Sequence, residues 1–349
     1  GSINREGRIV SMNAYHPEHG YITVSSTPPF DEAQRYSPPA VRAYRRSLAG
    51  ATGFGLRLDG LPIVEREYAL LEDAIPRLRF RFEGGETLEI TVFAALYQNV
   101  PHVFYWCHSS ADLGTVAFGG RVWIQRCAYS QLTEGGPLPM PPVTTRILES
   151  SADSVTLFNQ ALNTRLTTNI HAVDDDNCVQ FDAQVNLKGT SLTVFRLEIG
   201  DEPTDSPLPS ANIAESLLDE CLGHCQQAWQ GWTHENHPLD LPLRRALVYA
   251  QQCCVPIDDE AMCVITYHQL LPLSWTRDAY YTIMPLMHWR GEFADDIRRH
   301  LIWLFERAQR PEGYWGRAYL ANGKVKDPAM QLDQQLYPLL ELAEYTQFT

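Results

Sequence analysis

The sequence SWTRDAYY occupies Ser274–Tyr281, and QLDQQLYPLLELAEY occupies Gln331–Tyr345. In each segment an aspartate, Asp278 or Asp333, comes just before apolar residues at helical spacing. A helix N-terminus has unpaired N–H groups and a partial positive charge, so an aspartate there reads first as a cap. Both segments therefore predict the start of a helix.

Aromatic and basic residues surround both predicted helix starts, and capping alone does not explain them. An aromatic face beside Arg and Asp side chains suits a sugar, because the ring stacks on the C–H face and the charged groups bond to hydroxyls. The candidate sugar-binding residues are Trp275, Arg277, Asp278, Tyr280, Trp315 and Arg317.

The two segments resemble the glucoamylase-like six-hairpin (α/α)6 glycoside hydrolases, a group that includes glucoamylases, glucodextranases and bacterial trehalases. The resemblance covers about residues 270–345, through a W-x-R-D segment at an early helix and a Q-L-D segment at a later one. It implies that Trp275, Arg277 and Asp278 hold the first sugar, with Trp315 and Asp333 completing the pocket wall. It also implies hydrolysis of an α-glucosidic bond by general acid and base, with no metal and no organic cofactor.

Acid–base hydrolysis needs two carboxylates that flank the glycosidic bond. Within this chain Asp333 is the candidate acid and Asp278 the candidate opposing carboxylate, with Glu312 and Asp327 on loops in reserve. In the resembling family both catalytic carboxylates follow the matched segments. The resemblance therefore implies that they lie beyond the last residue of this sequence.

Three functional classes stay open from the sequence. The first is a glycoside hydrolase or part of one. The second is a non-catalytic carbohydrate-binding or assembly subunit that keeps the sugar contacts and lacks the acids. The third is a phosphorylase, polysaccharide lyase or cyclase on the same scaffold. A phosphate-dependent enzyme would need a basic cluster, which only Arg277 and Arg317 offer near the pocket.

The chain changes character once along its length. Residues 1–200 read as short strands, such as the alternating Arg77–Phe82 before a turn at Gly84 and Gly85. Residues 201–212 form a linker rich in Pro, Ser and acidic residues, and residues 213–349 read as amphipathic helices. This order predicts an N-terminal antiparallel β-sandwich domain followed by an (α/α)6-type domain of helical hairpins.

The number of predicted helices is too small for a closed barrel. A six-hairpin barrel needs twelve, whereas about five follow the linker. Two interpretations stay open: the first half of a helical barrel that a second polypeptide or subunit completes, or a helical domain smaller than that of the resembling family, with its acids drawn from the residues present. A half-barrel would expose apolar helix faces, which need a partner.

Composition disfavours several kinds of partner. A formal net charge of −14 disfavours nucleic acid and anionic membrane surfaces, and no apolar run reaches the length of a membrane span. The eight cysteines lack zinc-site spacing and favour free thiols in a reducing cytoplasm. The initial Gly-Ser reads as an expression remnant, so a removed leader stays open.

Overall fold

The computed structural model describes residues 1–34, 37–49, 52–126, 144–204, 206–228, 238–266, 272–288 and 293–348. In the N-terminal part, thirteen strands form one antiparallel hydrogen-bonded system. They are β1 Ser2–Ile3, β2 Ile9–His16, β3 Gly20–Ser25, β4 Gly55–Leu56, β5 Ile63–Leu71, β6 Ile75–Phe82, β7 Thr87–Tyr97, β8 Val100–Arg126, β9 Arg146–Ser150, β10 Val155–Asn159, β11 Thr164–Thr168, β12 Ala172–Asp175 and β13 Cys178–Ile199.

The two longest strands, β8 and β13, form the spine of this sheet. They pair with each other over most of their length, and the order across the sheet is β1-β2-β3-β8-β13-β11-β10-β9. A second branch, β5-β6-β7, joins β8 along a different stretch, while β4 pairs with β8 and β12 with β13. These branches contribute to the largest apolar core of the described residues.

The alternation predicted for Arg77–Phe82 is confirmed in β6. Leu78, Phe80 and Phe82 are buried in the core, whereas Arg79 and Arg81 are exposed. The hairpin turn predicted at Gly84 and Gly85 is also present, because β6 pairs with β7 across it. A period of two in the sequence therefore located the buried face of this strand.

Helices dominate the C-terminal part, together with five short strands. Among the described residues, α1 Pro38–Ala49 lies in the N-terminal part, between β3 and β4. The C-terminal helices are α2 Ala211–Ala228, α3 Asp240–Gln252, α4 Thr276–Met287, α5 Ala294–Ile302 and α6 Leu332–Phe348. The short strands are β14 Cys254–Pro256, β15 Met262–Val264, β16 Leu273–Ser274, β17 Ala318–Leu320 and β18 Val325–Asp327. A π-helical turn, Trp303–Ala308, extends α5.

The prediction of (α/α)6-type helical hairpins is wrong. Strands β14 to β16 separate α3 from α4, and β17 and β18 separate α5 from α6. These strands form a β14–β15 hairpin and a three-stranded β16–β17–β18 sheet. Strands thus interrupt two of the connections between these helices, and the described residues do not show a barrel of helical hairpins. Helical periodicity identifies the apolar side of a helix but not the element that covers it.

Two smaller cores connect the sheet to the rest of the chain. The helices and short strands of the C-terminal part share one core with Tyr21 of β3, and Tyr15 of β2 packs against it. Helix α2 packs on β7 over the third core. Strand β13 ends at Ile199 and α2 begins at Ala211, but the domain limits 1–200, 201–212 and 213–349 stay a prediction.

Two further observations concern membrane spans and cysteines. Among the described residues, no helix is long and apolar enough to cross a membrane. The seven cysteines of that part of the chain are free thiols, while Cys127 lies outside the described residues.

Candidate functional site

The N-terminal ends of α4 and α6 lie side by side. The Thr276 hydroxyl, in the first turn of α4, donates a hydrogen bond to the backbone oxygen of Gln334 in α6, at 2.8 Å. Both residues are buried, so the contact fixes one helix start against the other. Two helix N-termini thus bring their partial positive charges to the same place.

A pocket of about 250 Å³ opens at this junction. It is lined by Thr266, Trp275, Arg277, Asp278, Arg317, Gln331 and Gln334. Four of the six residues proposed from sequence to bind sugar are therefore brought together.

Arg277 lies between the two aspartates that marked the helix starts. Its Nη1 is 3.1 Å from Asp333 Oδ2, and its Nε is 3.9 Å from Asp278 Oδ2. The three side chains keep between 39 and 47% of their surface exposed, so all of them remain within reach of a ligand. Asp278 lies in the first turn of α4 and is not its N-cap; that position is Trp275, whose side chain makes no capping bond. Asp333 lies in the first turn of α6.

Arg317 enters the pocket from the short β17–β18 sheet. Its Nε is 2.6 Å from Asp327 Oδ2, and its backbone N–H donates to the Asp327 carbonyl. Asp327 is 4% exposed. The carboxylate held in reserve as a catalytic candidate is thus a buried anchor for the guanidinium.

The structure places the other sequence-predicted residues away from the pocket lining. Trp315 is 4% exposed; its indole N–H donates to the Leu304 carbonyl at 2.9 Å. The Tyr280 hydroxyl donates to Glu344 Oε1 at 2.6 Å, and this hydrogen bond, with burial, raises the pKa of Tyr280 to about 12. Glu312 is exposed and pairs with Arg310.

Sequence reasoning missed three lining residues. Gln331 and Gln334 flank Asp333 at the start of α6, and their spacing of three residues on a helix was the signal that could have placed them together. Thr266 lies just beyond β15, eight residues before the first motif, and belongs to neither motif.

No group of three or more His, Cys, Asp or Glu side chains in the described part of the chain is placed to hold a metal ion. The lining instead combines one indole, two guanidiniums, one carboxylate, two amides and one hydroxyl. Such a set offers both hydrogen-bond donors and acceptors around an aromatic face, which suits a neutral ligand with many hydroxyl groups.

Comparison with known proteins gives a distant structural similarity. No family model matches the sequence, and no curated protein matches it. The fold is similar to a solved structure described as a kojibiose phosphorylase from the human microbiome, with 10% sequence identity and a TM-score of 0.46. The match covers 97% of this chain and 49% of that one; the chain thus spans about half the length of that protein.

Proposed function

We propose that the pocket between α4 and α6 is the first sugar subsite of a protein that acts on α-glucosidic oligo- or polysaccharides. The single observation that carries the proposal is that Trp275, Arg277, Asp278 and Arg317 line one pocket. Each charged group can bond to a sugar hydroxyl, and the indole supplies an apolar face for a pyranose ring.

Each pocket residue has a distinct role in this proposal. Asp278 accepts hydrogen bonds from two neighbouring hydroxyls of the sugar, and Arg277 donates to a third. Asp333 holds Arg277 through the 3.1 Å contact, and Asp327 holds Arg317 in the same way. Because both guanidiniums are already paired with carboxylates, the pocket favours a neutral sugar over an inorganic anion such as phosphate.

Hydrolysis by general acid and base is the reaction that we propose. Asp278 lines the pocket, and Asp333 is next to it through Arg277. Both carboxylates lie against this guanidinium, Asp333 at 3.1 Å and Asp278 at 3.9 Å. A carboxylate that lies against a guanidinium is suited to accepting hydrogen bonds. This favours sugar binding as the contribution of these two residues, with a carbohydrate-binding or assembly subunit as the second candidate function.

Calorimetric titration of the whole chain with glucose and with α-linked glucose disaccharides tests the subsite. Loss of one charged hydrogen bond costs about 1.5–3 kcal/mol, so Asp278→Asn and Arg277→Ala should each weaken binding by roughly tenfold or more. Arg298 and Asp295 provide matched controls, since Arg298 has similar exposure and also pairs with an aspartate, at 2.9 Å. The variants Arg298→Ala and Asp295→Asn should bind as the wild type does.

Two outcomes would separate the possibilities. Unchanged dissociation constants in Asp278→Asn and Arg277→Ala would remove the subsite assignment. If the wild type binds a disaccharide and also releases glucose, and Asp333→Asn binds without releasing it, the hydrolase is supported. Binding without glucose release in the wild type would favour the carbohydrate-binding subunit.

A further inference from the structure

Three tyrosines join α4 to α6 beside the pocket. Tyr280 and Tyr281 belong to α4, and Tyr337 belongs to α6. Their ring centroids lie between 5.0 and 5.6 Å apart, in tilted or edge-to-face arrangements. These are the distances of favourable aromatic pairs. The three residues are called the tyrosine cluster below.

The tyrosine cluster begins one helical turn away from the charged residues of the site. Tyr281 follows Arg277 by four residues in α4, and this spacing places both side chains on the same side of the helix. Tyr337 follows Asp333 by four residues in α6. The Arg277–Asp333 contact of 3.1 Å thus has a counterpart about 6 Å farther along the helices. This counterpart is the Tyr281–Tyr337 pair, whose hydroxyl oxygens are 3.2 Å apart.

The tyrosine cluster is both fixed in position and open to solvent. The Tyr280 hydroxyl donates to Glu344 Oε1 at 2.6 Å, and this bond fixes its ring against the other two. Tyr281 is 61% exposed, and Tyr337 is half-buried. Rings that are held in place before a ligand arrives lose little conformational freedom when it binds. The cluster therefore offers a preformed aromatic surface next to the pocket.

The hydroxyl groups of Tyr281 and Tyr337 add hydrogen-bonding capacity to this surface. One of the two hydroxyls donates to the other, so the pair keeps one O–H group and further oxygen lone pairs for a ligand. The hydrogen bond with Tyr281 raises the pKa of Tyr337, and nearby Asp333 raises it further. A neutral aromatic face with a free hydroxyl suits a sugar ring, which presents C–H groups on its face and hydroxyls at its edge.

We propose that the tyrosine cluster binds the second sugar ring of an α-glucosidic oligosaccharide whose first ring occupies the pocket. This inference rests on the sugar subsite proposed above, and it requires a ligand of at least two rings. Tyr281 supplies the aromatic face, the Tyr281–Tyr337 hydroxyl pair bonds to the ring, and Tyr280 orients both side chains. The separation of about one helical turn leaves room for one sugar unit between the two contact points.

Calorimetric titration of the full chain with glucose and with an α-linked glucose disaccharide tests the second ring separately from the first. We expect the wild type to bind the disaccharide more tightly than glucose. Tyr281→Ala should weaken disaccharide binding by about tenfold and leave glucose binding unchanged. Tyr281→Phe, which keeps the ring and removes the hydroxyl, should weaken disaccharide binding less than Tyr281→Ala does.

Tyr68 of β5 is a matched control, because its exposure of 62% is close to that of Tyr281. The variant Tyr68→Ala should bind both saccharides like the wild type. If Tyr281→Ala weakens the binding of glucose and of the disaccharide equally, the cluster acts through the packing of α4 against α6, and the second-ring proposal is overturned. It is also overturned if glucose binds through Asp278 and the disaccharide binds no more tightly. Absence of any saccharide binding to the wild type would overturn the first subsite as well.

Discussion

Glu341 of α6 and His300 of α5 face each other in the interior of the protein. Both side chains are 0% exposed, and Glu341 Oε2 is 3.8 Å from His300 Nε2. Burial raises the pKa of Glu341 well above its ordinary value and lowers the pKa of His300 to about 4. The His300 Nδ1–H donates to the Met262 carbonyl at 3.1 Å, which fixes the orientation of the ring.

The two shifts act on stability in opposite directions. An unfolded glutamate loses its proton near pH 4.5, whereas buried Glu341 keeps it, so its contribution to folding decreases as the pH rises above 4.5. Unfolded histidine binds a proton below about pH 6.5 and His300 only below about 4, so its contribution decreases as the pH falls through that range. Above pH 4.5 and below pH 6.5 the two effects on the free energy of unfolding therefore oppose each other.

Replacing the carboxyl group of Glu341 should reveal the pH dependence that His300 alone gives to the free energy of unfolding. We expect the free energy of unfolding of Glu341→Gln, relative to that of the wild type, to rise as the pH increases above 4.5, because glutamine has no proton that folding must retain. Urea unfolding at pH 5, 6 and 7 measures this difference. Parallel curves for the two proteins would mean that Glu341 is ionised at the same pH in the folded and unfolded chains.

At the residue scale, sequence reasoning grouped the polar pocket residues better than the aromatic ones. Arg277 and Asp278 are adjacent at a helix start, a position that keeps their side chains at the helix end. Trp315 was assigned to the same pocket because aromatic and charged residues lie near it in the sequence. A tryptophan meets the needs of a sugar and of a core equally well, and only the packing of its neighbours decides between them.

At the scale of elements, the short strands were the main omission. Each of β14 to β18 has two or three residues, fewer than an alternating pattern needs to be recognised. Their pairing is set by contacts between distant residues, such as Leu273 with Leu320. The apolar pattern of α6 was correctly taken as helical, and the structure shows its leucine side exposed.

Trp315 connects the π-helical turn to α6. Its indole N–H reaches Leu304 in the π-helical turn, its backbone exchanges hydrogen bonds with the Gln335 amide of α6, and its ring meets Phe305 edge to face. We expect Trp315→Ala to lower the free energy of unfolding by about 3–5 kcal/mol, as for other buried aromatics.

Trp275→Ala is the comparison for this prediction, because Trp275 is half-buried and lines the pocket. That variant should weaken saccharide binding and cost less stability. Chemical denaturation and calorimetric titration of both variants would distinguish the two roles. A stable Trp315→Ala protein with weakened saccharide binding would return Trp315 to the pocket wall.

At the scale of the whole molecule, the sequence predicted the change from strands to helices but not how the two parts meet. The Asn322 amide, in the β17–β18 turn, donates to the carbonyls of Pro17 and Glu18 in the β2–β3 turn. Tyr21 of β3 is buried in the C-terminal core. These contacts join residues about three hundred positions apart, a relation that local patterns do not encode.

At Gly20 the β2–β3 turn lies close against the β17–β18 hairpin, and this glycine gives a test of the coupling between the two parts. Its φ is +75°, and a Cβ at this position would lie 2.8 Å from the Leu320 Cβ. Gly114 is a matched control, with a φ of +73° and nothing within 4 Å of a Cβ. Alanine at either site costs about 1–2 kcal/mol for the left-handed backbone.

Gly20→Ala should cost about 1–3 kcal/mol more than Gly114→Ala, because the added methyl group must also displace the β17–β18 hairpin. Urea unfolding of both variants measures the difference. If the hairpin holds the sheet and the C-terminal core together, the additional loss affects the unfolding of both parts. Equal losses in the two variants would mean that the β2–β3 turn can move away from Leu320 freely, and the sheet would then be stable without this contact.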